Sequence, residues 1–279
     1  MSESQPPRRL PLVIESLGYV GAVIAVAAGA SLVQHFWHNV PRSAELSFAG
    51  VVSVALLAIG TALRVGGDLA IARLRSVLWL ISTISATVFV AILASQFAHL
   101  SGIAVALLAE AAGTSSAIAL WLRNRSTLQH LSAFAGSAAL IATAIHQVAP
   151  GTSAWGPGLS IWLLSALWGT AAHRGYLAPG TTGFVAAAIG LLVGAQLTMV
   201  ETAAGQLLAV ATVAALLAAG IALHRFLLLG FGAAGALVIL PQTATRYLPS
   251  SAAAALSVCA TGLTLLAIAV WLAKSRKTA

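Results

Sequence analysis

The sequence contains very few charged residues. Asp, Glu, Lys and Arg make up 7% of the 279 residues, whereas hydrophobic residues make up 59%. Soluble domains carry about 25% charged residues, so a water-soluble fold of this size could not cover its surface. The composition therefore excludes a soluble globular enzyme or binding domain and indicates a protein embedded in a lipid bilayer.

Cysteine and acidic residues are equally scarce. The single cysteine, Cys259, excludes an intrachain disulfide and any multi-cysteine metal site. The six acidic residues form no paired motif, and the sequence has no phosphate loop, GxSxG or HExxH. We therefore predict a protein that is not an enzyme and that holds no cofactor or metal ion.

The net charge of +8 is the one feature that could suggest nucleic-acid binding. However, Lys and Arg occur in ones to threes beside hydrophobic runs, which is typical of membrane topology signals. The expected partner is therefore the lipid bilayer, together with a small solute or a lipid, rather than a nucleic acid.

Long hydrophobic runs fill most of the chain. About twenty apolar residues are enough to cross a bilayer as a helix, and the sequence predicts an all-α helical bundle of about ten transmembrane spans. The predicted spans are Leu12–Phe36, Leu46–Leu63, Val77–Phe97, Ile103–Leu122, Leu128–Val148, Leu159–Ala172, Thr182–Val200, Gln206–Leu223, Phe226–Leu240 and Ala252–Leu272.

The basic residues predict the orientation of these spans. In a ten-span arrangement, all but Arg42 and Arg246 of the 14 Lys and Arg residues fall on one side of the membrane. The positive-inside rule makes that side cytoplasmic. We therefore expect residues 1–11 to form a cytoplasmic polar tail, residues 12–273 a single transmembrane domain and residues 274–279 a basic cytoplasmic tail of a multi-pass bacterial cell-membrane protein.

Three pairs of segments resemble each other in the same order along the chain. GYVGAVIAVAAGASL (18–32) is similar to GFVAAAIGLLVGAQL (183–197), ALLAIGTAL (55–63) to ALLAAGIAL (215–223), and AIALWL (117–122) to AIAVWL (267–272). These pairs relate spans one to four to spans seven to ten and predict a parallel repeat, as found in some transporters. Because Ala, Leu, Gly and Val dominate the composition, chance similarity is the alternative.

Glu110 lies near the centre of the fourth predicted span. An ionisable residue at bilayer depth is costly, so it usually faces a protein interior or an aqueous cavity and is often functional. Burial would favour its neutral form, which suggests a site for a proton or a cation. The expected hydroxyl partners are Thr83, Thr87, Thr114 and Ser137. A structural role, in which a neutral Glu110 bonds between helices, is the alternative.

Polar side chains also collect at the predicted outer ends of the first, third and fifth spans. They predict a vestibule that opens outward, formed by Gln34, His35, His38, Gln96, His99 and His146. Imidazoles can titrate near neutral pH, but their spacing matches no metal-binding motif.

The stretch LGYVGAVIAVAAGASLVQHFWHNVPRSAELSFAGVVSVALLAIGTALR (17–64) resembles a group of bacterial, actinobacterial-type multi-pass proteins that share a domain of unknown function. IALHRFLLLGFGAAGALVILPQ (221–242) and AVWLAKSRK (269–277) resemble the same group. The resemblance implies a multi-span membrane fold and no particular activity.

Two functions fit these features. The first is a permease for a small molecule or lipid, in which Glu110 binds a proton. The second is a non-catalytic accessory or structural membrane protein.

Overall fold

A computed structural model describes residues 41–63 and 69–247, together with Cys259 and Gly262. The chain forms two compact units, Met1–Phe48 and Ala49–Ala279. In the first unit, Pro41 is the first residue that the structure describes. A helix begins at the next residue, Arg42, and in its first turns the Ser47 hydroxyl donates to the Ser43 carbonyl at 2.8 Å. That helix continues into the second unit.

Eight long helices follow one another through the described residues, which contain no strand. Their bounds are α1 Arg42–Ala62, α2 Leu69–Ile92, α3 Gly102–Asn124, α4 Thr127–Val148, α5 Trp155–His173, α6 Gly180–Met199, α7 Ala203–Ala222 and α8 Phe226–Tyr247. A π-helical turn, Leu93–Phe97, extends α2, and a 3₁₀ turn, Pro150–Thr152, precedes α5. These helices correspond to predicted spans two to nine, whereas spans one and ten lie outside the described residues.

The all-α membrane class predicted from the sequence is confirmed. All of these helices except α5 meet the length and hydropathy expected of a membrane span. Helix α5 has 19 residues, about 28 Å at 1.5 Å per residue, but its tryptophans and glycines lower its hydropathy. The protein is therefore a multi-pass helical membrane protein, and the total of ten spans stays a prediction.

The helices of the second unit pack in a regular pattern of contacts. Each helix from α2 to α8 packs against the next along the chain, and α2, α4, α6 and α8 also pack against one another in succession. Among the described helices, the pattern of principal contacts therefore repeats with every second helix along the chain. The predicted four-span repeat includes spans one and ten and stays a prediction.

Four predicted span boundaries differ from the helix ends by four residues or more, and one of them is the start of α1, at Arg42 rather than Leu46. Helix α2 begins at Leu69 rather than Val77, because hydropathy marks only the apolar part of a helix. Helix α5 begins at Trp155 rather than Leu159, since Pro157 lies in the first turn, where a missing N–H costs little. Helix α8 continues beyond Leu240 through Pro241 to Tyr247.

Small residues bring α5 and α6 very close together. A Cβ atom added to Gly194 would lie 2.7 Å from the Gly158 carbonyl oxygen and 2.7 Å from the Trp162 backbone nitrogen. A Cβ atom on Gly158 would lie 2.8 Å from Cβ of Leu197. Backbone atoms of the two helices are therefore in direct contact, as small residues allow in membrane proteins.

Candidate functional site

Glu110 lies on α3, eight residues after Gly102, or about 12 Å along the helix axis. Its Oε1 accepts a hydrogen bond from the Thr143 hydroxyl of α4 at 3.1 Å. Its Oε2 is buried and has no hydrogen-bond partner in the protein. One carboxylate oxygen therefore joins two helices, while the hydrogen-bonding capacity of the other is unused by the protein.

Glu110 lines a cavity of about 250 Å³ between α2, α3 and α4. The walls consist of hydroxyl-bearing side chains, glycines and aliphatic side chains. They are Leu80, Thr83, Ile84, Thr87, Glu110, Gly113, Thr114, Ser132 and Gly136. No Lys, Arg or His is among these lining residues, so the carboxyl group is the one ionisable group of the wall.

Two glycines make room for the hydroxyl groups. A Cβ atom on Gly113 would lie 2.2 Å from Oγ1 of Thr87, and a Cβ atom on Gly136 would lie 2.6 Å from Oγ1 of Thr114. Both distances are far below van der Waals contact. Threonine hydroxyls can therefore lie at these helix crossings only because the facing residues have no side chain.

Most of the wall hydroxyls already use their protons. Thr83 donates to the Trp79 carbonyl at 2.9 Å, Thr87 to the Thr83 carbonyl at 3.0 Å, and Ser132 to the Leu128 carbonyl at 2.9 Å. Such i−4 bonds are common for Ser and Thr within helices. A hydroxyl has one proton and two lone pairs, so these groups can offer a ligand only acceptor oxygens.

Thr114 is the exception among the hydroxyls. Its side chain is 6% exposed, and its Oγ1 has no hydrogen-bond partner in the protein. Leaving a buried hydroxyl without a partner costs about 1–3 kcal/mol. Two residues of the cavity wall therefore carry a buried polar atom without a protein partner, Oγ1 of Thr114 and Oε2 of Glu110.

Thr83, Thr87 and Thr114, three of the expected hydroxyl partners, line the same cavity as Glu110, but the hydroxyls of Thr83 and Thr87 donate to backbone carbonyls and that of Thr114 has no partner. Ser137 does not line the cavity, and its hydroxyl donates to the Ala133 carbonyl at 2.7 Å. The bond to Glu110 comes instead from Thr143, which sequence reasoning missed. Thr143 is seven residues, or about two turns, beyond Gly136 and shares its face of α4, whereas Ser137 is rotated away by about 100°.

The predicted vestibule is described only in part. Gln34, His35 and His38 lie outside the described residues. Gln96 belongs to the π-helical turn, His99 follows it with a positive φ of 51°, and His146 is exposed near the end of α4. Within the described ranges, no three His, Cys, Asp or Glu side chains come together in a metal-binding group.

A second polar cluster lies at the opposite end of α3, and the sequence analysis did not predict it. His130 is fully buried, and its Nε2 accepts a hydrogen bond from Nε1 of Trp168 at 3.0 Å. The ring of Trp121 lies over His130, with centroids 4.7 Å apart, and Arg125 lies over Trp121 at 4.7 Å. Because indole N–H only donates, His130 Nε2 carries no proton here.

This cluster ties several helices together. Nε1 of Trp121 donates to the Ala178 carbonyl at 2.8 Å, and Nε2 of Gln129 donates to the Ser76 carbonyl at 3.0 Å. The Arg75 guanidinium donates to Oδ1 of Asn124. The bonds therefore connect α2, α3, α4, α5 and the loop before α6, which is the pattern of a structural network.

Glu201, in the turn between α6 and α7, has a structural contact. Its Oε1 accepts from the Ser153 hydroxyl at 2.5 Å and from the Ala154 backbone N–H at 3.1 Å. These bonds place a negative charge at the N-terminus of α5, where the helix dipole favours it. The bonds from Ser153 and Ala154 lower the pKa of Glu201 below its ordinary value of 4.5.

Comparison of the chain with models of protein families, with curated proteins and with solved structures gives no match. The resemblance of residues 17–64 to bacterial multi-pass proteins stays a prediction. The function therefore has to be inferred from the geometry of Glu110 and its cavity.

Proposed function

We propose that this protein is a permease for a small solute, and that Glu110 takes up and releases a proton during transport. The observation that carries the proposal is the buried, unpartnered Oε2 of Glu110 beside a cavity of about 250 Å³. The unpartnered Thr114 hydroxyl lines the same space. A carboxyl group with one free oxygen can gain or lose a proton without breaking its bond to Thr143.

The energetics of the bilayer support a proton at this position. A charged acidic residue near the centre of a membrane helix costs about 2.5–3.5 kcal/mol on insertion scales. No cationic side chain lines the cavity to offset that cost. A proton, a cation or water bound at Glu110 would offset that cost.

The size of the cavity favours a small solute over a lipid. Sites for drug-sized molecules have volumes of about 300–1,000 Å³, and this cavity is just below that range. A lipid acyl chain would extend well beyond it. Of the two substrate classes expected from the sequence, the small molecule is therefore the better fit.

The proposed location is a bacterial cytoplasmic membrane with both chain termini in the cytoplasm. This proposal is supported by the distribution of Lys and Arg along the sequence. With that orientation, the start of α3 and the end of α4 face outward, so Glu110 lies closer to the outer than to the inner surface.

A purely structural role for Glu110 is the second candidate, and the bond to Thr143 favours it. Interhelical hydrogen bonds in membranes contribute about 0.6 kcal/mol on average and up to about 1.7 kcal/mol. In this case the carboxyl group would serve as a link between α3 and α4, and its proton would never leave.

Glu110→Gln separates the two candidates. The Gln oxygen still accepts from Thr143, but the amide cannot release a proton. Wild-type and variant protein would be reconstituted in liposomes that contain a pH-sensitive dye, with a membrane potential imposed and small cationic, neutral and anionic solutes supplied outside. We expect solute-dependent proton movement with wild type and Ser137→Ala, and none with Glu110→Gln of equal thermal stability. Equal proton movement in Glu110→Gln, or none in wild type with any solute, would contradict a transport role.

A further inference from the structure

The chemistry of the cavity also identifies a class of solute. We infer that the cavity binds a small primary alkylammonium ion, which takes the place of the Glu110 proton. This inference rests on the proposed function, since it names the solute that the Glu110 site would accept.

The polar part of the wall selects for a hydrogen-bond donor with a positive charge. The hydroxyl protons of Thr83, Thr87 and Ser132 go to backbone carbonyls, and that of Thr143 goes to Glu110. What remains for a ligand is a set of acceptor oxygens, the carboxyl group of Glu110 and the hydroxyl of Thr114, whose proton is not used by the protein. An ammonium group has three donors and no acceptor, which complements the carboxylate and the acceptor oxygens, whereas an anion would find no positive charge and only the O–H groups of Thr114 and of a protonated Glu110 as donors.

The apolar part of the wall favours an organic ion over a bare metal cation. Leu80 and Ile84 of α2 line the cavity. The volume of about 250 Å³ corresponds to roughly eight water molecules, each with a share of about 30 Å³. A chain of a few carbon atoms attached to the ammonium group would fill this space and contact the aliphatic residues.

Binding would exchange one positive charge for another. The neutral Glu110 carboxylic acid loses its proton to water, and the resulting carboxylate pairs with the incoming ammonium ion through Oε2. The buried site has no net charge before and after the exchange, so each bound ammonium ion releases one proton. The proton and the ion therefore cannot occupy Glu110 together, which is the condition for exchange transport.

The test uses the full chain in lipid nanodiscs with n-butylammonium as the probe, and n-butanol and butyrate as neutral and anionic probes of similar size. Calorimetry in two buffers of different protonation enthalpy measures both the affinity and the number of protons released. The variants are Glu110→Gln, Thr114→Val and the matched control Ser137→Ala. Thr114→Val is well suited because the Thr114 hydroxyl bonds to no protein group.

We expect n-butylammonium to bind wild type and Ser137→Ala with release of about one proton. Binding should be absent in Glu110→Gln and roughly tenfold weaker in Thr114→Val, as for loss of a hydrogen bond to a charged group. Equal binding of n-butanol, binding without proton release, or unchanged binding by Glu110→Gln would overturn the inference. If butylammonium fails to bind while Glu110-dependent proton movement with another solute persists in liposomes, the solute class is wrong and the permease function stands. If neither is seen, both fail.

Discussion

Gly194→Ala should destabilise the protein because it adds a methyl group where two helix backbones touch. The added carbon would lie 2.7 Å from the Gly158 carbonyl oxygen, 2.7 Å from the Trp162 nitrogen and 2.9 Å from Cα of Trp162. All three are backbone atoms, so no side-chain rotation can relieve the contact. Helices α5 and α6 would have to move apart along their most extensive interface.

The magnitude follows from two opposing terms. Replacing Gly by Ala inside a helix gains about 0.5–1 kcal/mol, because Ala loses less backbone entropy on folding. Overpacking a well-packed core costs about 1–3 kcal/mol. Gly230→Ala on α8 is the matched control, because a Cβ atom there meets no heavy atom within 4 Å. Both variants gain the same backbone entropy contribution from Ala, so the difference in their stability measures the cost of overpacking at Gly194.

The assay is thermal unfolding of both variants in the same detergent, followed by circular dichroism. A change of 1 kcal/mol corresponds to about 2–4 °C for chains of 150–250 residues. We therefore expect Gly194→Ala to unfold roughly 2–12 °C below Gly230→Ala. If the two variants unfold at the same temperature, α5 and α6 are not in backbone contact at Gly194, and the reasoning fails.

Two other predictions concern the polar contacts at the ends of the helices. Glu201 has a lowered pKa through its bonds to Ser153 and Ala154, so its contribution to stability is fully present above its ordinary pKa of 4.5 and is lost as the pH falls through the lower folded value. Between pH 7 and pH 3, the unfolding temperature should therefore fall more in wild type than in Glu201→Gln. Equal decreases in the two proteins would contradict the cap at α5. Trp168→Phe should destabilise the protein by about 1–3 kcal/mol, because it leaves the buried Nε2 of His130 without its donor. The same change in a His130→Leu background should cost less, and additive effects in this double-mutant cycle would show that the bond contributes nothing.

The sequence alone determined the class of the protein and most of its helices. Within a bilayer, each backbone N–H and C=O must find a partner, and an α-helix satisfies them within one segment. The existence of a span is therefore a local property that hydropathy and length can reveal. The ends of the helices are harder to predict from the local sequence. Helix α2 extends beyond its apolar part, and Pro157 and Pro241 are accommodated within helices.

Part of the candidate site was also accessible from the sequence. Glu110 was identified because a carboxylate at bilayer depth is energetically costly and is often functional. Thr83 and Thr87 were identified because hydroxyl groups on a neighbouring span can form hydrogen bonds with it. Both threonines line the cavity with Glu110. This much required only the assumption that consecutive helices pack against each other.

The tertiary structure decided which faces of the helices meet. Thr143 rather than Ser137 bonds to Glu110, because Gly136 turns one particular face of α4 toward α3. The cluster of Trp121, His130 and Trp168 joins residues up to 47 positions apart in the sequence, on three helices. Composition and hydrophobic periodicity cannot show such contacts, because the rotation and register of each helix depend on how side chains of different spans fit together.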